Sequence, residues 1–567
     1  MANIKQLLGM VLLLSSSVVM TGQTVLTEAE VLAKYNATYD GATPGHVTVH
    51  DPSVVIGYEG TDGKVTGVET SGSKKVYCVF GSHRAWAKSY DLVDWETFEN
   101  NISTDYATIF AEDAAWSALG NSSYDVSGNL WAPDVIWNEE MGKWCMYMSV
   151  NGDNYYSSIV MLTAESLTGD WTRVGTVVYS FGLSSKNESK TDMWDVLKSG
   201  EDTSTRYYWC RNSTSNRTYG MNAIDPCVFY DEEGNLWMTY GSWFGGLYIM
   251  RLDGATGLRD KTYTYATVYK REDDNATWSA TKIKYAISDA YQGIKIAGGN
   301  HVSGEASYVE YHDGRYWLFV TYGGLAAAGG YNMRVFSSES VTGPYTDISG
   351  DDARYSSSGE YGSANAGQVN RSVGTRLMSY YRWGFMDYGY VAQGHNSAVV
   401  DGDRMWLVYH TRFDDGTEGH QVRVHELFTT SGGRIMCAPF EYRGEAAMTG
   451  AVDGEEVAGS WGIIRHGNGT DYKNLVCAQE EEITLGADGT VSGAYSGTWS
   501  ASASEPVINI SIKVGSTTES YEGRFLRQYL EGTNVEALCF TAVDGVDKSL
   551  WGYKKAGAGQ TLVMMWR

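Results

Sequence analysis

Ile224-Asp225-Pro226-Cys227-Val228-Phe229 puts an acidic residue at the mouth of an apolar strand, and four relatives of this block stand elsewhere in the chain. They are His50-Asp51-Pro52-Ser53-Val54-Val55, Trp131-Ala132-Pro133-Asp134-Val135-Ile136, Gly304-Glu305-Ala306-Ser307-Tyr308-Val309 and Gly394-His395-Asn396-Ser397-Ala398-Val399. Successive blocks lie 80 to 93 residues apart, so the chain repeats one unit five times. Aligned acid on acid, the blocks give Asp51, Ala132, Asp225, Glu305 and His395 one shared position. A radial arrangement of the units gathers three carboxyl groups and an imidazole around a single axis.

Each block is followed by a second, aromatic-rich strand: Lys75–Phe80, Lys143–Met148, Leu236–Tyr240, Tyr316–Val320 and Met405–Tyr409. Turn signals such as Glu233-Gly234-Asn235 and His312-Asp313-Gly314 stand between the two, as a hairpin requires. A third echo pairs Glu165-Ser166-Leu167-Thr168-Gly169-Asp170-Trp171-Thr172 with Glu339-Ser340-Val341-Thr342-Gly343-Pro344-Tyr345-Thr346. Repeats made only of strands and turns are propeller blades. The expected fold class is all-β: a five-bladed β-propeller over residues 35–447. After Glu456 the blade pattern stops, and half-buried strands such as Val507-Ile508-Asn509-Ile510-Ser511-Ile512 predict a small β-barrel or sandwich over residues 455–567.

The 567 residues, 43% of them hydrophobic, suffice for more than one packed core. A formal charge of −25 disfavours nucleic acid, which needs clustered Lys and Arg. It also disfavours polyanionic substrates; neutral sugar polymers stay compatible, and 41 Tyr and 19 Trp supply rings for apolar sugar faces. Seven Cys without a Cys-x-x-Cys pair point to neither a disulfide framework nor a zinc site. Lys5, an apolar run from Leu7 to Met20 and a polar exit read as a signal peptide over residues 1–23. Export to the periplasm or beyond the cell is expected, with no membrane span in the mature chain and a monomer as the working state.

Inverting hydrolysis of a glycosidic bond needs a carboxylate to activate water and a carboxylic acid to protonate the leaving oxygen, roughly 6.5–9.5 Å apart. Acids on different blades facing one axis satisfy that spacing. Asp51 is the expected base and Glu305 the expected acid, with Asp225 as a third charge that discourages ionisation of Glu305. Asp134 lies two positions further along its strand, suited to substrate contact or to organising the strand start. Trp131, Trp243 and Phe244 are candidates for sugar-facing walls or for packing between blades, and Arg412 for a hydrogen bond to substrate or for pairing with an acid in a structural role. His395 is a candidate ligand for an axial metal ion, with a hydrogen-bonded structural role or direct contact with substrate or base as the alternatives. Calcium prefers oxygen, so one imidazole serves only if water completes the shell.

The segments His50-Asp51-Pro52, Asn129 to Asp134, Asn222 to Pro226, Gly241-Ser242-Trp243-Phe244-Gly245-Gly246, Gly304-Glu305-Ala306 and Gly394-His395-Asn396-Ser397 resemble glycoside hydrolase family 43, above all its endo-α-1,5-L-arabinanases. Tyr409 to Phe413 and Gly419 to His425 resemble the longer, two-domain members. The resemblance implies a five-bladed propeller that cleaves arabinan with inversion, using Asp51 as base, Glu305 as acid and Asp225 to tune and orient the acid. It also implies a calcium or similar ion beside His395, and a C-terminal domain packed on the propeller. Ser307 stands where many members carry Pro. Two other functions fit the same residues: an exo-acting arabinofuranosidase or β-xylosidase of the family, and a carbohydrate-binding propeller without catalysis.

Overall fold

The computed structural model describes residues 45–180, 191–196, 221–265, 288–289, 291–299, 304–354, 374–430, 432–467, 477–533, 535–546 and 548–555. The expected signal peptide and the first residues of the expected propeller lie outside them. Five antiparallel sheets follow one another along the chain, then a closed eight-stranded barrel. Each sheet opens with one of the repeated blocks: Ser53–Glu59, Leu130–Asn138, Cys227–Tyr230, Glu305–His312 and Tyr390–Asp401. These innermost strands touch in sequence, first to second, second to third, third to fourth, fourth to fifth and fifth back to first. The ring is therefore closed, and the sheets are the blades of a five-bladed propeller.

The second strands explain why the sequence is aromatic-rich there. They are Lys74–Gly81, Lys143–Val150, Leu236–Tyr240, Arg315–Tyr322 and Arg404–Phe413, and each is buried on both faces. With a side-chain period of two, Val76, Cys78 and Phe80 of the first blade join Trp144, Met146 and Met148 of the second. Tyr77 and Val79 face the other way, onto Trp406 and Val408 of the fifth. Every blade interface has such an apolar layer, so the ring is held by side-chain packing between blades.

The outer echo is also structural. Gly169 N–H donates to Ser166 O at 3.0 Å and Gly343 N–H to Ser340 O at 2.9 Å, two copies of one turn that bury Trp171 and Tyr345.

In the barrel, Gly459–His466 pairs with Ser549–Lys554 to close the cylinder. Its interior is filled by Trp461, Ile463, Ile483, Leu485, Ile510, Phe525 and Phe540. The barrel is not a separate body. Ala478–Gln479 adds a parallel strand to the fifth blade beside Tyr381–Arg382, and Ile464, Trp551 and Tyr553 share one core with Trp383, Tyr409 and Phe440.

Candidate active site

The position singled out by the repeat has a backbone signature. Asp51, Ala132, Asp225 and His395 all adopt positive φ, at 55°, 37°, 56° and 47°, and each stands two residues before regular pairing with the second strand begins or, in the second and fifth blades, resumes after a register shift. Their amides point into the neighbouring blade. Ala132 N–H donates to Ser82 Oγ at 2.8 Å, Asp225 to Ser149 Oγ at 2.9 Å, His395 to Thr321 Oγ1 at 2.9 Å and Asp51 to His410 Nδ1 at 3.3 Å. Each acceptor lies at or just beyond the end of the preceding blade's second strand. One repeated hydrogen bond thus ties blade to blade around the mouth of the axis.

In the fourth blade the residue with this signature is Ala306, φ 56°, not Glu305. The alignment of acid on acid is corrected by one residue. Glu305 pairs with Thr321 ahead of a register shift, as Trp131 pairs with Ser149, so the acid occupies the slot that holds an indole in the second blade. Both side chains are only partly buried there, facing the open end.

The third blade makes a further exception. Gly241 ends its second strand region at φ 121°, where a Cβ would stand 2.7 Å from Gly246 O, so it offers no side-chain acceptor. The Ala306 amide turns instead to Asp225 Oδ2 at 3.3 Å. A missing side chain in one blade thereby orients a carboxyl group in the site.

Asp51 sits among imidazoles. Its Oδ1 lies 2.7 Å from His50 Nδ1, 3.0 Å from His395 Nδ1 and 3.9 Å from His410 Nδ1, and its Oδ2 accepts from Ser82 Oγ at 2.5 Å. The Ser82 oxygen already accepts the Ala132 amide, which aims its proton at Asp51. Burial, the largest influence, would raise the Asp51 pKa, but His395 and His50 hold it well below the ordinary carboxylate value. Reciprocally, His395 is pushed up to about 9, the Asp51 charge overcoming the opposing effect of burial. His410 is driven well down and His420 to about 4 by burial and by neighbouring cations. Asp225 is raised to about 7 by burial and by the charges of Glu305 and Asp51, against the pull of His395.

Glu305 is held at both oxygens. Tyr331 O–H donates to Oε1 at 2.6 Å, while Trp243 Nε1–H at 2.7 Å and Ser242 O–H at 3.2 Å donate to Oε2. The Tyr331 oxygen also lies 3.5 Å from His395 Nδ1. End to end, these contacts run from Glu305 through Tyr331 and His395 to Asp51, and so keep the two carboxylates within the roughly 9.5 Å upper limit of an inverting pair.

The structure thus brings Asp51, Asp225, Glu305, His395 and Trp243 together. Trp243, on a loop with positive φ at both Trp243 and Phe244, is a hydrogen-bond donor to Glu305 rather than only a wall. Trp131 bonds its indole N–H to Gly128 O at 2.8 Å and meets His83 edge-on. Phe244 packs edge-on against Tyr155 at 4.3 Å.

Two expectations of substrate contact are corrected. Asp134 is 1% exposed; it accepts from Ser53 Oγ and, at 2.5 Å, from Val228 N–H, a strut joining the first three blades. Arg412 is also buried. Its Nε donates to Leu325 O at 2.7 Å, and its other nitrogens reach Glu418 O and His50 Nε2, which fastens the loops of the fourth and fifth blades to each other.

Tyr331, His410, Ser82 and Ser242 escaped the sequence reading, and so did His50, although it precedes Asp51 directly and adjacency alone signalled it. His410 was legible as the residue two after the conserved-register Val408, the counterpart of Ser82, Ser149 and Thr321. Tyr331 ends a hairpin loop outside every repeat and gave no signal.

As for a cation, His50, Asp51 and His410 offer ligand atoms within 4.8 Å of one another, a set rich in nitrogen. His395 Nδ1 is engaged by Asp51, so Nε2 is the ring nitrogen it would offer an ion. Calcium seeks six to eight oxygens, so the residues present fit such an ion only with water as most of its shell.

Carboxyl groups of different surroundings gathered at one mouth of a closed five-bladed ring can supply the base and the acid that inverting glycoside hydrolysis needs. Residues 201–384 match the glycosyl hydrolases family 43, and residues 439–552 match a C-terminal lipocalin-like domain. The chain is 31% identical over 517 residues to the extracellular endo-α-(1→5)-L-arabinanase of Thermotoga petrophila, covering 89% of this chain and 93% of that protein. It is 30% identical over 528 residues to the extracellular endo-α-(1→5)-L-arabinanase 2 of Bacillus subtilis, covering 90% and 93%. The crystal structure of endo-1,5-α-L-arabinanase from Thermotoga petrophila superposes with a TM-score of 0.69 at 28% identity, over 90% of this chain and all of that one. The protein belongs to glycosyl hydrolase family 43.

Proposed function

We propose that this glycoside hydrolase cleaves internal α-1,5-L-arabinofuranosidic bonds of arabinan with inversion. The observation that carries the proposal is the pairing, across one axis, of an ion-paired Asp51 with a Glu305 clamped at both oxygens. Asp51, kept ionised by His50 and His395, is the base that takes a proton from water. Glu305, presented at the open end of the ring, protonates the departing sugar oxygen. Asp225 retains its own proton to about pH 7; below that pH it adds no negative charge beside Glu305, and above it the site becomes more anionic. Trp131 and Phe244 are the apolar faces on which furanose rings rest. A cation at His395, if held mainly through water, supplies positive charge beside Asp51.

Endo action and arabinan are supported by two relatives matched over 93% of their length, both named as extracellular endo-arabinanases. Export is supported by those names together with the apolar segment after Lys5.

The test is product analysis on linear α-1,5-arabinan, with and without a chelator, beside a xylan control. A ladder of arabino-oligosaccharides is expected. Arabinose alone would replace endo with exo action, xylose from the control would make the enzyme a xylosidase, and binding without product would make it a lectin-like propeller. Loss of the ladder on chelation, restored by calcium, is the outcome expected if an ion sits at His395.

A further inference from the structure

Tyr331 lies between the two halves of the site and belongs to neither in the sequence. It is 1% exposed, and its ring lies nearly parallel to His410, centroids 5.9 Å apart and planes at 28°. Space for it is provided across the blade interface: a Cβ on Gly394 would fall 2.3 Å from Tyr331 Cδ1. The loop that delivers it is fixed at several points. Gly324 N–H bonds Gly329 O at 2.8 Å, Asn332 Nδ2 bonds Gly330 O at 2.8 Å, and Arg412 and Glu418 of the fifth blade hold Leu325 O and Ala327 N–H. So much support for one phenol argues that the position of its oxygen matters.

That oxygen has one proton to give. The hydroxyl lies 2.6 Å from Glu305 Oε1 and 3.5 Å from His395 Nδ1, so the short contact, and the proton, go to Glu305. Burial, with the charges of Glu305, Asp51 and Asp225, keeps the phenol itself from ionising. The groups facing Glu305 and Tyr331 are Asp225 from the third blade, Asp51 from the first, His395 and His410 from the fifth, and the Trp243 and Ser242 donors.

We propose that Tyr331 is a positioning residue for Glu305: its hydroxyl fixes the carboxyl orientation and stabilises the carboxylate left behind when the proton passes to the leaving oxygen. The inference rests on the assignment of Glu305 as general acid. A donor to a carboxylate favours its charged form, so removing the hydroxyl makes Glu305 a weaker acid.

The experiment is Tyr331→Phe, which keeps the ring and its packing. On arabinan, kcat should fall about 10–100-fold with KM little changed, the effect of losing one hydrogen bond to a charged group. The alkaline limb of kcat/KM should move to higher pH by about one pH unit. A nitrophenyl arabino-oligoside, whose leaving group needs no proton, should be cleaved nearly as fast as by the parent. Trp243→Phe, which removes the donor to Oε2, should move the same limb in the same direction. An unmoved pH profile, or equal losses on polymer and aryl substrate, overturns the proposal. If the parent cleaves no arabinan, the assignment of substrate fails instead, and infrared difference titration of the carboxyl groups, parent against Tyr331→Phe with Glu305→Gln as the reference, reads the same displacement without turnover. Absence of any change at Glu305 there sinks the proposal on its own.

Discussion

Two of the buried charge clusters among the described residues are built on opposite principles. At the axial mouth, three carboxyl groups meet one imidazolium, and proton affinities are spread from Asp51, well below the ordinary range, through Asp225 at about 7 to His395 at about 9. At the seam of the fifth blade, the barrel and the N-terminal segment, Arg423 lies 3.6 Å from Glu441 and 3.8 Å from Glu531, and His46 lies 2.9 Å from Glu441. Tyr390 O–H donates to Glu531 at 3.0 Å, and the Glu441 amide to the same carboxylate at 3.0 Å. In the seam Glu441 and Glu531 share the permanent cation Arg423, and against burial, which would raise it, the neighbours His46 and Arg423 bring Glu441 down to about 2. A fixed guanidinium anchors the charges that hold the fold, whereas titratable groups alone surround those at the axial mouth.

The largest expected effect breaks the axial cluster. Asp51→Asn or Glu305→Gln should lower arabinan turnover by about 10²–10⁴-fold, the range for removing one acid–base partner. Glu305→Gln removes one of three clustered carboxyl charges, so its thermal midpoint should stay within a few degrees of the parent or rise, whereas Asp51→Asn takes from His395 its ion-pair partner and should lower the midpoint. Reducing-sugar release and calorimetry on the same samples check both. A variant that stays active, or one that fails to fold, would place the site with the structural clusters.

Four of the five blocks were aligned correctly from sequence, three of them with Pro after the shared position and the fifth, at His395, without it. Asp51-Pro52 and Asp225-Pro226 pin the residue before Pro, and there the alignment found the right position. The Gly304-Glu305-Ala306-Ser307 block has no Pro, and matching acid to acid slid it by one. The positive φ at Ala306 that sets the true register leaves no mark in side-chain chemistry. The blades themselves were legible because strands buried on both faces read as aromatic and β-branched runs. The sequence left Arg412 and Asp134 open between substrate contact and a structural role for the converse reason: a charged residue beside a site motif looks available until the carbonyls and amides that occupy it are seen. The seam was invisible, since Arg423, Glu441 and Glu531 lie in different elements with no shared spacing.

The second effect breaks the seam. Arg423→Met leaves Glu441 and Glu531 buried without their shared cation, and losing one partner of a buried ion pair costs about 3–5 kcal/mol. Urea denaturation should read that loss as a lower midpoint. Because the fifth blade carries His395 and His410, activity should vanish at the unfolding transition while turnover per folded molecule below it stays near that of the parent. A kcat that falls with unchanged stability would make the seam part of the catalytic machinery and dissolve the distinction.

The smallest effect separates the two clusters by the sign of their pH dependence. Glu441 has a lowered pKa, so its contribution is complete above the unfolded value near 4.5 and is lost as pH falls toward about 2. Asp225 has a raised pKa: the folded state holds a proton that the unfolded chain has released, so stability falls as pH rises from about 4 to about 7. His395 extends the same trend, its contribution present below about 6.5 and lost as pH climbs through about 9. Urea midpoints across pH should therefore rise on the acid side and decline from weakly acid to alkaline. Asp225→Asn should flatten the decline between about pH 4 and 7 without touching the acid side, and Glu441→Gln should do the reverse. If either substitution changes both limbs, the clusters are electrostatically joined through the fifth blade, and the axial site draws on the seam for its proton affinities.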